Sequence, residues 1–220
     1  MIKIKAFTLA EVLITLGVVG VVSAITIPTV VNKYQERVTV SKVKKIYSTI
    51  NQAFMLSVKD NGYANEWNVN DSSYSVRAIQ FTEYLKPYLK ILRDCGTSSG
   101  CLGYTQSVSR LNGQQHDYNY DTNNSYYKLI LNDGSYIWIV VPEALYCQHS
   151  GGGLTNICGQ IHTDINGGKK PNTIGKDIFM FYVTPYAIKP NTTDDCNTNG
   201  IGWGCAGYIL QNGNMDYLKK

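Results

Sequence analysis

Hydrophobic and polar positions divide the chain into two unlike parts. From Phe7 to Val31 the sequence FTLAEVLITLGVVGVVSAITIPTVV runs for 25 residues with one charge, Glu11. Apolar side chains on every side of a helix, without alternation, predict a membrane-spanning segment. As a helix the stretch reaches roughly 37 Å, enough to cross a hydrocarbon core of about 30 Å with some tilt. A secretory signal would have a shorter apolar core ending at a small-residue cleavage site. This run instead continues without a loop into a second helical pattern. Between Lys33 and Val58, the positions Val43, Ile46, Tyr47, Ile50 and Phe54 follow helical spacing, with polar residues on the other faces. That stripe predicts a helix that leaves the membrane and lies on a globular head. Lys59-Asp60-Asn61-Gly62 is its expected stop.

Beyond Gly62 the pattern changes more often. Val76, Ile79, Leu85, Tyr88 and Leu92 are broadly in helical phase, which predicts a second helical region over Tyr74 to Arg93, kinked or broken at Pro87. Residues 103–125 are polar and read as irregular. From Tyr126 to Val141 two apolar runs flank Asp133-Gly134, a strong hairpin signal. Ile157–Ile161 and Ile178–Val183 are further strand candidates, and Asn212-Gly213 reads as another turn. The expected fold is α+β: a long N-terminal membrane-spanning helix packed on a small antiparallel sheet.

Composition narrows the partners. Charged residues make up 16%, with twenty glycines and seventeen tyrosines, which suits a loop-rich head with β-structure rather than a helical bundle. The formal charge is +4, and only Lys42, Lys44 and Lys45 cluster, on a predicted helix face. This is too small and scattered for a nucleic-acid partner. Six cysteines, Cys95, Cys101, Cys147, Cys158, Cys196 and Cys205, all follow the apolar segment. An even count beyond a membrane segment reads as disulfides in an oxidising compartment. Zinc, the competing reading, favours close C-x-x-C pairs with histidine, whereas His116, His149 and His162 are scattered. Sequential pairing is expected, because each consecutive pair brackets a Gly-rich or polar loop.

Glu11 is the residue that composition does not explain. A carboxylate within a bilayer costs on the order of 2.5–3.5 kcal/mol on insertion scales, so it needs a partner. A cut between Ala6 and Phe7 would place a new ammonium one helical turn away. The stretch Lys3-Ile4-Lys5-Ala6-Phe7-Thr8-Leu9-Ala10-Glu11-Val12-Leu13-Ile14 resembles the processing site of type IV pilins and type II secretion pseudopilins. In that family a prepilin peptidase cuts before Phe on the cytoplasmic side and N-methylates the new amine. The family also carries Glu, Gly and Pro at offsets that fall here on Glu11, Gly20 and Pro28. One departure is Ala6, where the family usually has Gly. The resemblance covers about the first 55 residues and implies a leader over 1–6, a transmembrane helix over 7–31, its amphipathic continuation over 32–60 and a head over 61–220. It further implies an inner-membrane subunit, cytoplasmic at its N-terminus, with a periplasmic or extracellular head and other pilin-like subunits as partners in a filament. Lys3 and Lys5 on the N-terminal flank agree with that orientation. Gly17, Gly20 and Pro28 weaken the helix locally, which the resemblance links to helix melting on filament packing.

Other chemistry is thin. Asp164, Asn166 and Asp177 lie in a Gly-rich segment that opens like a calcium loop, as some pseudopilin heads do. Lys169 and Lys170 sit where negative charge would help, and a structural loop joining two strands is the alternative. No hydrolase, metalloprotease or phosphate-loop motif is present, and Gly151-Gly152-Gly153 lacks the Lys and Ser/Thr of a phosphate cradle. An enzyme is therefore not expected. Tyr118, Tyr120, Trp138 and Trp203 could bind a sugar or peptide, or serve as packing. A filament subunit is thus the first reading, and a monomeric membrane-anchored module recognising carbohydrate or protein the second.

Overall fold

The computed structural model describes residues 8–104, 106–143 and 146–219. Its fold is α+β, with an N-terminal helix α1 (Leu9–Asn61) of 53 residues and a head built on antiparallel sheet. The chain forms two compact units, residues 1–38 and 39–220. In the first unit the described side chains of α1 are almost all exposed, including Leu13, Ile14, Val22 and Ile25. Gly17 and Gly20 meet nothing within 4 Å, and Pro28 lies inside the helix.

In the second unit α1 has one apolar stripe. Val40, Val43, Ile46, Ile50 and Phe54 are buried in the main core. Tyr47 stacks on Phe181 at 5.6 Å between ring centroids. The helix ends at Gly62, whose φ of +79° puts it in the left-handed region that glycine enters most easily. Its N–H closes the last turn on Val58 O at 3.0 Å. Trp67 then packs the end of the helix, tilted against Phe54 and Phe81 and stacked on Tyr84.

Helix α2 (Tyr74–Leu85) is followed by a single tight turn over Lys86–Tyr88. The chain is then extended, as strand β1 (Ile91–Gly96). The expected helix to Arg93 is thus cut short: Pro87 cannot continue the ladder, and Leu92, in helical phase on paper, is an exposed strand residue.

The remaining strands are β2 (Tyr127–Leu131), β3 (Tyr136–Val140), β4 (His149–Gly151), β5 (Leu154–Ile157), β6 (Gly159–Asp164), β7 (Ile178–Val183) and β8 (Ile188–Pro190). Six form one antiparallel sheet in the order β1-β2-β3-β6-β7-β8; β4 and β5 pair separately. The hairpin at Asp133-Gly134 joins β2 to β3. The strand expected at Ile157–Ile161 is instead the junction of β5 and β6, which meet at Cys158. Strand β7 matches its apolar run, IFMFYV, and all six residues are buried because both faces of the sheet are covered. The turn expected at Asn212-Gly213 is the end of a helix: α3 (Cys205–Asn212) closes at Gly213, φ +70°.

Disulfides link Cys95–Cys101, Cys147–Cys158 and Cys196–Cys205, the sequential pairs. The first and third of these are further held by aspartates. Asp121 accepts the N–H groups of Cys101, Leu102 and Gly103. Asp195 accepts those of Trp203 and Gly204, at the start of α3. Each carboxylate sits in a nest of successive N–H groups, as an external anion would.

Candidate functional site

Among the described residues, α1 is the one helix long and apolar enough to cross a membrane. Ala6 and Phe7 lie outside the described residues. Glu11 sits in the first turn of α1, where its Oε2 accepts from the Thr8 N–H at 2.8 Å and from the Thr8 hydroxyl at 2.9 Å. The Thr8 Oγ1 in turn accepts from the Glu11 N–H at 3.3 Å. Thr8-Leu9-Ala10-Glu11 is therefore a capping box, S/T-x-x-E, which satisfies two of the orphan donors at a helix start. Its pattern is legible in the sequence and adds a local role to Glu11. Gly20 and Pro28 lie on the same uncovered stretch, about two and a half and nearly five turns further along.

The residues considered for calcium do come together. Asp164 Oδ1 accepts from the N–H groups of Asn166 and Gly167, and its Oδ2 from Gly168 N–H and the Tyr104 hydroxyl. Asp177 accepts from Thr173 and Asn172 N–H groups and from the Asn166 amide nitrogen. All four carboxylate oxygens thus face the chain's own donors. The amide oxygens of Asn166 and Asn172 are buried without a donor, and two such oxygens fall well short of the six to eight that calcium takes. The arrangement is a loop clamp and does not fit the ion. Among the described residues no group of three or more His, Cys, Asp or Glu is placed to hold a metal.

The face of the sheet opposite the α1 stripe carries an aromatic cluster. The register sets Lys128, Trp138, His162 and Met180 side by side across β2, β3, β6 and β7. His162 is parallel to Trp138 at 6.1 Å and is edged by Trp203 at 5.0 Å and Tyr126 at 5.7 Å. Tyr120 lies 4.9 Å from Trp138, and His116 lies 5.6 Å from Tyr118 and 5.8 Å from Trp203. Tyr118, Tyr120, Trp138 and Trp203, far apart in sequence, are therefore one assembly. Sequence reasoning missed its two histidines.

Burial gives this region opposed pH responses. His162 is held down to about 3 by burial and then by the His116 charge. Its unfolded counterpart, near 6.5, takes up a proton first, so His162 lowers stability as pH falls from about 6.5 towards 3. Asp177 is pushed up to about 7 by burial and by Asp164. It holds a proton that the unfolded chain has lost, so it lowers stability as pH rises from about 4 to 7. The two slopes oppose each other between about pH 4 and 6.5, each up to about 1.4 kcal/mol per pH unit. Urea titrations should show His162→Phe gaining stability on acidification and Asp177→Asn losing it. Parallel profiles for the two variants would contradict the assignment.

No curated protein and no solved structure matches the chain. A family of unknown function (DUF6613) matches residues 29–220, which takes in the whole head and begins downstream of Glu11 and Gly20. The chain, matched over most of its length, belongs to that family.

Proposed function

We propose that this protein is a non-catalytic structural subunit of an envelope filament, a pseudopilin or minor pilin, assembled through its N-terminal helix. The supporting observation is an apolar helix that buries none of its large side chains over residues 9–31 and carries its lone carboxylate at Glu11. Such a surface requires lipid or other apolar helices around it. The spacing of Phe7, Glu11, Gly20 and Pro28, shared with pilins and pseudopilins, favours both in turn: the bilayer before assembly and copies of like helices after it. Prepilin peptidase would remove residues 1–6 on the cytoplasmic side, and the head would fold and form its disulfides outside. Disulfides in the head support that topology.

Processing is the direct test. Mass spectrometry of the envelope protein should find a mature chain beginning with N-methylated Phe7, and deletion of the prepilin peptidase should leave Met1 in place. A chain that keeps Met1 in cells with active peptidase, or one cut after Ala24, defeats the reading. Crosslinking through α1 in intact cells should then give a ladder of multimers.

A further inference from the structure

The two ends of the head's sheet differ in charge. One end is the line Ile130, Tyr136, Asp164 and Ile178 across β2, β3, β6 and β7. The Asp133-Gly134 hairpin and the loop over residues 165–177 close the strands there, and a side chain at Gly167 would strike the Gly134 carbonyl. That loop carries Lys169, Lys170 and Lys176, all exposed. Lys90 adjoins the hairpin, its carbonyl accepting from the Asn132 N–H at 2.9 Å. From α1 come Lys44, beside Gly213, and Lys45, bound to Asp133 at 2.7 Å. Among the described residues, Lys44, Lys90, Lys169, Lys170 and Lys176 are exposed and have no ion pair. The carboxylates at this end are occupied: Asp133 by Lys45, Asp216 by Lys219, and Asp164 and Asp177, both buried, by the loop clamp. Exposed Asp194, beyond β8, is the counterweight. The opposite end is mixed. Pro185 O, in the turn after β7, accepts from the Ala64 N–H at 3.1 Å, which sets Lys59 and exposed Glu66 there, and Glu143 follows β3.

We propose that the lysine-bearing end of the head binds the anionic headgroups of the bilayer that α1 spans. The first argument is charge. Those unpaired lysines fall within the roughly four to eight cations that read as a site for an anionic lipid surface. The second argument is the tether. Val31 ends the apolar segment, and Val40 is the first residue of α1 in the core. The rise between them is about 14 Å as helix, against a headgroup layer about 5–8 Å deep. Lys44 and Lys45 follow Val40 by about one turn, so the chain enters the head at its lysine end. At whatever angle the two units meet, this is the end tethered near the surface; the other lies a strand's length, about 20 Å, along the sheet. The tether itself adds Lys33 and Arg37 against Glu36. The third argument is the kind of cation. Lysine is a point charge on a flexible stem, which suits phosphates that present no fixed geometry. A second copy fits less well, because the end it would offer mixes Lys59 with Glu66 and Glu143. The inference rests on α1 spanning a membrane, and it holds for a filament subunit before assembly as for an anchored monomer.

The test places the full chain, one copy per nanodisc, in discs of phosphatidylcholine alone and in discs of equal parts phosphatidylcholine and phosphatidylglycerol. Acetylation of each lysine is timed by mass spectrometry. Lys44, Lys169, Lys170 and Lys176 should react at least about threefold more slowly in the anionic discs. The gap should close at about 1 M salt, where the screening length falls to about 3 Å. Lys59 and Lys189 should react alike in both discs. Lys169→Gln combined with Lys170→Gln should return Lys176 towards its rate in phosphatidylcholine without shifting thermal unfolding. The proposal is overturned by equal rates in the two discs, by slowing as large at Lys59 and Lys189, by the same protection from inorganic phosphate in phosphatidylcholine discs, or by protection that needs two copies per disc. A chain that does not enter the discs overturns it together with the membrane reading of α1; one that enters and is unprotected leaves that reading standing.

Discussion

Replacing Glu11 by leucine is expected to block filament entry while sparing membrane insertion, cleavage before Phe7 and the disulfide-bonded head. Leucine removes a group that costs about 2.5–3.5 kcal/mol in an apolar segment, so insertion improves if anything. The proposed cut before Phe7 would lie four residues upstream. What would be lost, on the proposed function, is the counter-charge for the new amine of Phe7. In the proposed filament, a neighbour's Glu11 would meet that amine. Leaving it unpaired should lower incorporation about a hundredfold, the equivalent of that same energy. Thr8 complicates the reading, because Glu11 also accepts from its N–H and hydroxyl. Glu11→Gln separates the two roles: its amide oxygen can still accept from Thr8, but it carries no charge. Coexpression with wild type and peptide counting in sheared filaments should find both variants excluded. If Glu11→Gln enters at wild-type levels, Glu11 is a helix cap and the charge pair is wrong.

The second large effect is expected at Arg77, whose side chain is 1% exposed. Its Nε donates to Val141 O at 3.1 Å, Nη1 to Asp71 O and Ser72 O at 2.9 and 2.7 Å, and Nη2 to Pro142 O at 3.4 Å. The guanidinium also lies 4.6 Å from the centre of the Tyr74 ring. One side chain thus ties the segment before α2 to the segment after β3. Arg77→Leu strips the donors from four carbonyls and should destabilise the head by about 3–5 kcal/mol. Arg77→Lys should recover less than half of that, since an ammonium has three donors and no planar fork. Urea unfolding of the oxidised full chain, followed by the fluorescence of Trp67 near the core, measures both. A leucine variant within about 1 kcal/mol of wild type would mean that water replaces the guanidinium without loss.

The parts of the fold legible in the sequence are those with an unbroken period. The α1 stripe at Val43, Ile46, Ile50 and Phe54, the Asp133-Gly134 hairpin and the apolar run of β7 all follow from local spacing. Leu92 misled because its phase with Leu85 and Tyr88 outlasts the helix itself; Pro87 was the stronger signal. Helix α3 is hidden by the glycine within it, Gly207, and those that flank it, Gly204 and Gly213. At Gly207 a side chain would meet Thr192 Cγ2 at 2.6 Å and Asn191 O at 2.7 Å, so a residue that argues against a helix is required by close packing. The clamps were illegible for another reason. Asp121 reaches N–H groups 18 to 20 residues away, and no local pattern encodes such a contact. The aromatic cluster was half legible: four of its rings were singled out from the sequence, but only the register of β2, β3, β6 and β7 brings Trp138 beside His162.

The edges of the sheet bear on how heads behave when crowded. Strand β1 pairs with β2 through two register irregularities, between Ile91 and Arg93 and between Asp94 and Gly96. At the other side β8 is three residues long and ends in Pro190. A bulged edge and a short, proline-ended one are poor templates for another strand. Packed side by side at the density of a fibre, these heads would resist fusing into a continuous β-ribbon. Contacts between neighbouring heads in the proposed filament would then be made by side chains and not by a shared β-ladder.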